Sequence, residues 1–287
     1  MLNSFRKMLH FRGRLKPNKG DRKSKILSII NRNGKGLEIG PSHNPVAPKS
    51  EGFDVAVIDH LDKEGLKRKY SEHGLDVSRI EDVDYVWRGQ RYSELVGGTQ
   101  KFDWIIASHV VEHVPDLIGF LVQCEEILKP TGVLVLVVPD KRWCFDLLRP
   151  KAGLGPVIDA HLADRRMHSP GVVAEYFLSI VTLNGAIAWT QEVQDRSINF
   201  IHSAHDAESA MERTKKGEYI DLHSWTFTPS SFRLLMHDLN TLGFLRMTET
   251  HFFDTHNVEF IVAMSPQGSP CSMPRLALAL ASQAEGL

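Results

Sequence analysis

The residues with the most chemistry to offer fall in a few short stretches. Ser108-His109-Val110-Val111-Glu112-His113 carries two imidazoles and a carboxylate within five positions, and His223 opens a second stretch, His223-Ser224-Trp225-Thr226-Phe227-Thr228. If the first stretch begins a helix, residues 109, 112 and 113 share one face and can bind a divalent ion. Without a metal, His113 or His223 can act as a base or orient a substrate, because an imidazole titrates near neutrality. In a third reading Glu112 and His113 only cap and pack the helix. Val138-Pro139-Asp140-Lys141-Arg142 adds an acid able to take a proton or fix a hydroxyl, beside two cations able to hold a phosphate or carboxylate. The candidate catalytic residues are therefore His113, Asp140 and His223, and no metal is assigned.

A second set suits a cofactor. Leu37-Glu38-Ile39-Gly40-Pro41-Ser42 reads as a strand entering a glycine turn, and 21 residues after Glu38 the run Val55-Ala56-Val57-Ile58 ends in Asp59-His60. A glycine at a strand end lets backbone approach a ligand closely, and an acid at the next strand end can accept both hydroxyls of a ribose. The pair points to an adenosine cofactor. Yet Pro41 and Ser42 stand where GxGxxG would continue, and Pro45 and Pro48 weaken the helix that would cradle a pyrophosphate, which disfavours NAD and FAD. Glu38 just ahead of the glycine suits a cofactor bearing an amino group, as S-adenosylmethionine does.

Residues so placed need a sheet to hold them. A helix pattern at 22–31, with Asp21 as its cap, precedes the strand ending at Gly40; further strand-like runs lie at 55–59, 83–87, 104–108 and 133–138. A helix at 116–128, capped by Asp116 and ended by Lys129-Pro130-Thr131-Gly132, separates the last two. Thr228-Pro229 opens a helix to Leu242, and strands follow at 245–252 and 258–264. Near-continuous apolar runs between helices predict a Rossmann-like, seven-stranded, mostly parallel α/β sheet with helices on both faces. A mainly helical insertion at about 145–222 follows the fifth strand. It holds His161, His168, His202 and His205, which read as surface histidines, and as a lid it would select the acceptor. Residues 1–20 form a basic arm, 21–264 the domain and 265–287 a tail.

The order LEIG, VIDH, FDWIIASHVVEHVPD, LKPTGVLVLVVPD resembles the class I S-adenosylmethionine-dependent methyltransferases over about residues 30–140, with a matching helix and strand pair at 228–264. GPSHNP, DHLDKEGLKRKY, ASHVVEHVPD and VPDKRWCFD are similar to a bacterial subgroup of methyltransferase-domain proteins associated with glycan assembly. The resemblance implies that Glu38 and Gly40, with the Pro41-Ser42 turn, contact the methionine part. It places Asp59 on the ribose, His60 and the turn at Gly89 on the adenine, and Ser108 with His109 on the methionine side. Two departures stand out: Ser42 replaces the second glycine of the usual GxG, and Gly89-Gln90 replaces an acid after the third strand. The HxxEH stretch is similar to the ExxEH of small-RNA 2′-O-methyltransferases and ubiquinone-pathway O-methyltransferases. His109 in place of glutamate would shift a metal site there from magnesium towards zinc or manganese.

Composition bounds the partners. The chain has 287 residues, 42% of them hydrophobic and 24% charged, which fits one generous folded domain and excludes collagen-like or disordered readings. It shows no membrane span or secretory signal, and Cys124, Cys144 and Cys271 form no CxxC pair, which fits a cytoplasmic protein. The net charge of −1 excludes a globally basic nucleic-acid binder, but residues 1–25 carry +8 and the rest −9. Leu2, Phe5 and Leu9 give that arm a helical apolar spacing, which suits peripheral contact with an anionic membrane or acidic partner. The expected function is methyl transfer from S-adenosylmethionine to oxygen of a small-molecule or glycan acceptor, a carbohydrate or glycolipid before a phenol- or quinone-type molecule. A methyltransferase-fold scaffold without catalysis is the alternative from another class.

Overall fold

A computed structural model describes residues 19–72, 74–190, 197–269 and 271–286, so residues 1–18 of the basic arm, whose partner contact is expected through residues 1–25, lie outside the described residues. The strands are β1 (Gly36–Ile39), β2 (Val55–Asp59), β3 (Tyr85–Val86), β4 (Phe102–Ser108), β5 (Leu128–Pro139), β6 (Val181–Leu183), β7 (Ile198–Phe200), β8 (Thr248–His256) and β9 (Glu259–Ser265). Seven of them form one sheet in the order β3-β2-β1-β4-β5-β9-β8, parallel except that β9 runs antiparallel to both its neighbours. The strand order reverses beside β1, so the crevice for a ligand opens at the carboxyl ends of β1, β2 and β4.

The apolar runs are buried on both faces, as a parallel sheet requires. On one face Leu37, Ile39, Ile105, Ala107, Leu134 and Leu136 meet α4 (Leu117–Ile127) and α8 (Pro229–Thr241). On the other, Trp104, Ile106, Val135 and Val137 meet Ile26 and Ile30 at α1 (Lys19–Ile29). Helix starts follow their caps: Asp116 accepts from Gly119 N at 2.8 Å, and Thr228 forms a capping box with Ser231 ahead of Pro229.

Two expectations change, while the insertion is mainly helical as expected. The stretch after β4 is a turn rather than a helix start: His113 N donates to Val110 O at 3.0 Å, and α4 begins only at Leu117. The C-terminal segment read as a tail contains α9 (Arg275–Ala284), which lays Leu278 into the core; Arg275 binds Asp238 and Glu285 caps α8 through Ser230 N. The insertion holds α5 (Leu154–Leu162), α6 (Pro170–Ser179) and α7 (Ala204–Lys215) together with the two-stranded β6–β7 sheet.

At the start of β1 a close approach fixes the residue type. A Cβ on Gly36 would stand 2.0 Å from the fully buried Trp104 ring, which is already hemmed by Phe53 at 6.3 Å between centroids. Gly36→Ala is expected to lower the unfolding free energy by about 1–3 kcal/mol through overpacking. An unchanged urea midpoint at constant slope would show that the ring simply moves aside.

Candidate active site

Gly40 and Ser42 both adopt left-handed backbone, at φ 62° and 55°, where the chain turns out of β1. Ser42 thus holds without glycine a conformation that glycine adopts freely, with its Oγ 3.0 Å from His43 Nδ1. A side chain on Gly40 would press on Val110 Cγ2 at 3.3 Å, so this turn and the one after β4 abut. Asp59 is buried; its Oδ1 accepts from His60 N at 2.7 Å and pairs with His60 Nδ1 at 2.6 Å, while Oδ2 is buried with no hydrogen-bond partner. An orphaned carboxylate oxygen at the end of β2 is what a ribose hydroxyl would complete. Gly89 sits at φ 97° in the turn after β3, where Trp87 Nε1 donates to Gln90 O.

Glu38 behaves differently. Its two oxygens accept from Val46 N at 2.7 Å and Ala47 N at 3.2 Å, so it pins the proline-interrupted loop after β1. Burial pushes its pKa up to about 7, against those two hydrogen bonds and the charge of Arg22. Ser108 Oγ accepts from Arg22, and His109, at φ 55°, turns its Nε2 to Glu259 at 2.7 Å.

The metal-ligating types assemble by tertiary contact. Ser224 N and Trp225 N both donate to Glu112 O, at 2.6 and 3.2 Å, and Trp225 Nε1 donates to Val114 O at 2.7 Å. This clasp sets His223 against His113, with ring centroids 4.6 Å apart and nearly perpendicular. One ligand atom each from Glu112, His113 and His223 then lies within 4.8 Å of the others. The Glu112 side chain is fully buried and neither oxygen has a hydrogen-bond partner. Both imidazoles are oriented through Nδ1: His113 stands 2.9 Å from Asp221 and His223 2.5 Å from Asp146. Arg149, itself buried, binds Asp146 at 3.1 Å and His223 O at 2.7 Å.

The electrostatics follow from these pairs. Burial works against the charged form of His113, but the hydrogen bond and charge of Asp221, with Glu112 behind, carry its pKa up to about 9. Asp221 is held well below the usual carboxylate range by His113, and Asp146 is lowered by His223 and Arg149, in both cases against burial.

The sequence places His109 on one face with Glu112 and His113; the left-handed turn instead sends its Nε2 to Glu259, with Nδ1 at 3.5 Å from Glu112. Asp140 is fully buried and engaged, by Arg142 at 2.5 Å and by Thr255 Oγ1 at 2.6 Å, so it braces the strand end and has no oxygen turned to an acceptor. His168 is no surface histidine: it is buried against Ser224 Oγ at 2.6 Å, and burial takes its pKa down to about 4. Asp146, Asp221, Arg22 and Glu259 are missing from the sequence-derived set. Asp146 closes the VPDKRWCFD stretch, the one signal that could have found it; the others have no fixed spacing to the residues they serve.

Glu38 gives a signed pH test. Its folded pKa of about 7 stands above its ordinary 4.5, so the folded state is favoured while the proton stays on. That stability is complete below about pH 4.5 and is lost as pH rises through 7, by on the order of 3 kcal/mol. The stability difference between Glu38→Gln and the unsubstituted protein, from urea unfolding, should grow in the variant's favour across this window. A difference flat with pH would refute the burial argument.

Residues 8–240 match a family model described as a methyltransferase domain. The ubiquinone biosynthesis O-methyltransferase of Rhodopseudomonas palustris strain TIE-1 is 36% identical over 50 residues, 17% of this chain and 20% of that protein. The mitochondrial ubiquinone biosynthesis O-methyltransferase of Bos taurus is 34% identical over 91 residues, 31% of this chain and 24% of that protein. The chain thus spans about a fifth to a quarter of the length of these curated relatives. Among solved structures, a SAM-dependent methyltransferase from Methanosarcina mazei aligns at TM-score 0.42 and 15% identity, over 85% of this chain and 98% of that one. The CcbJ methyltransferase from Streptomyces caelestis aligns at 0.40 and 12%, over 87% and 96%. With most of its length inside the family model, and with the strand order described above, the chain belongs to the methyltransferase-domain family, the S-adenosylmethionine-dependent methyltransferases.

Proposed function

We propose that the protein is an O-methyltransferase whose acceptor hydroxyl is prepared at a divalent-cation site formed by Glu112, His113 and His223. The observation that carries this reading is the Glu112 carboxylate, fully buried with neither oxygen hydrogen-bonded, between two imidazoles whose Nδ1 atoms each face a second carboxylate. An apolar interior does not tolerate an isolated carboxylate, and imidazoles oriented through Nδ1 by acids are how proteins present Nε2 to a metal. The donor set of two nitrogens and one oxygen suits zinc, manganese or iron(II) better than magnesium. When bound there, such a cation would acidify a hydroxyl and provide positive charge beside it.

The chain's own residues supply positioning. Asp59 Oδ2 and the Gly40 turn hold the adenosine and methionine ends, and the abutment of Gly40 on Val110 brings that pocket beside the cation site. Asp146 and Asp221 keep the Nδ1 protons in place. An acceptor hydroxyl so held releases its proton to solvent, and its oxygen attacks the methyl carbon in line as the carbon–sulfur bond breaks and S-adenosylhomocysteine leaves; most of the rate comes from fixing that geometry and excluding water. A cation held by Glu112, His113 and His223 would remain open to an acceptor with two neighbouring oxygens, a class that includes catechols and sugar diols. The names of the matched relatives favour the phenol- or quinone-type acceptor, and the insertion selects between the classes.

Untagged protein is expected to carry close to one equivalent of a transition metal by elemental analysis. His223→Ala and Glu112→Gln should lose it and cut methyl transfer to a catechol or sugar diol by about 10²-fold or more, while cofactor binding persists. Transfer that survives both chelation and His223→Ala would defeat the cation reading. Asp59→Ala, measured by calorimetry, should weaken S-adenosylhomocysteine binding by about 10- to 100-fold, the worth of a charge-assisted hydrogen-bond pair. Unchanged affinity would remove Asp59 from the ribose site.

A further inference from the structure

One imidazole beside the candidate site has no part in it so far. His168, in the insertion just ahead of α6, is 3% exposed, and its Nδ1 stands 2.6 Å from Ser224 Oγ. Two contacts tie it to Glu112 and His113. Ser224 N donates to Glu112 O, and the Tyr219 ring, 5.1 Å from the His168 ring between centroids, belongs to the segment that brings Asp221 to His113. The other nitrogen, Nε2, is buried with no hydrogen-bond partner among the described residues. Nδ1 is the one side-chain partner of the Ser224 hydroxyl among the described residues, so the tautomer that satisfies both groups has Ser224 donating to Nδ1 and the ring proton on Nε2. Burial keeps this imidazole uncharged at ordinary pH, so it offers one N–H and no charge. A sealed N–H without an acceptor is a cost to folding that an incoming oxygen returns.

Resting on the function proposed above, we propose that His168 is an acceptor-binding residue whose Nε2–H donates to a third oxygen of the acceptor, beyond the neighbouring pair at the cation site. Tyr219 is 51% exposed and is the cover that the entering acceptor displaces. The space over His168 is that of one flat, oxygen-bearing ring tilted at 37° to the imidazole, so it takes a phenol-type ring before a puckered sugar. Ser224 then serves both ends of the acceptor, its N on the Glu112 carbonyl and its hydroxyl fixing the His168 tautomer.

Steady-state methyl transfer by the full chain to catechol, pyrogallol and hydroxyquinol isolates this contact, because the two triols add a third oxygen at each of the two distinct ring positions of catechol. For the unsubstituted protein one triol should exceed catechol in kcat/KM by about 3- to 30-fold, through KM. His168→Ala should bring that triol to the level of catechol and leave catechol within about twofold, with bound metal and S-adenosylhomocysteine affinity unchanged. His168→Gln, which keeps a side-chain N–H, should recover part of the preference. The comparison on the unsubstituted protein stands even if His168→Ala does not fold. Absence of a preference for either triol, or equal loss on catechol and triol in His168→Ala, overturns His168 as an acceptor contact and leaves methyl transfer intact. Failure of the unsubstituted protein to methylate any of the three overturns this inference together with the phenol-type acceptor.

Discussion

The Glu112 carboxylate is sealed from water with neither oxygen hydrogen-bonded, and the architecture around it is arranged about this constraint. Burying a carboxylate without hydrogen bonds costs several kcal/mol, which a chain stable by about 5–15 kcal/mol cannot neglect. The backbone around it is correspondingly firm. Glu112 O is clasped by two amides of the 223–225 segment, Trp225 reaches back to Val114, and Phe227 and Phe232 pack behind in the core. The imidazoles of His109 and His113, at 3.5 and 4.0 Å, face Glu112 Oε1 without hydrogen-bonding it, so they offset only part of that cost.

The same end of the sheet concentrates backbone strain. Of the six non-glycine residues with positive φ among the described residues, Ser42 and His109 lie at the carboxyl ends of β1 and β4 and Asn257 in the β8–β9 turn at the same end of the sheet, while the other three lie elsewhere. Each costs on the order of 1–3 kcal/mol relative to a relaxed backbone and is held only because its neighbours leave no alternative. Ser42 is fixed in the Gly40 turn, which itself presses on Val110; His109 is fixed by Glu259. Strain, buried charge and an orphaned Asp59 oxygen thus meet in one crevice, which separates a ligand site from ordinary loop irregularity.

Much of this frame could be read in the residues. The apolar runs at 55–59 and 104–108 became strands within a residue or two because both faces are buried and leave no choice of period, and Asp116 and Thr228-Pro229 mark their helices through local hydrogen bonding. What could not be read depends on contacts distant in sequence. Nothing near His113 announces Asp221, 108 positions on, and nothing near Ser108 announces Arg22. The misplaced helix at 109–113 has a local cause: Pro115 disfavours helical backbone at Val114, so the helix can start only at its cap, Asp116. The C-terminal helix was obscured by Pro270 and Pro274, which suggest a tail, although the Leu-Ala repeat behind them is a strong helix former.

The two acids that orient the imidazoles come from opposite ends of the insertion, Asp146 at its entry and Asp221 at its exit. The insertion is therefore no appendage to a finished site. If its helices shift against the sheet, the Nδ1 partners of His113 and His223 shift with them, and the Nε2 atoms lose their aim at Glu112. Arg149 reinforces the coupling, since it holds Asp146, Glu175 of α6 and the carbonyls of His223 and Ser224 at once. A ligand that favours one placement of the insertion must then favour one arrangement of Glu112, His113 and His223, and linkage makes the effect mutual. On the proposed function, acceptor recognition and preparation of its hydroxyl would draw on a single packing arrangement.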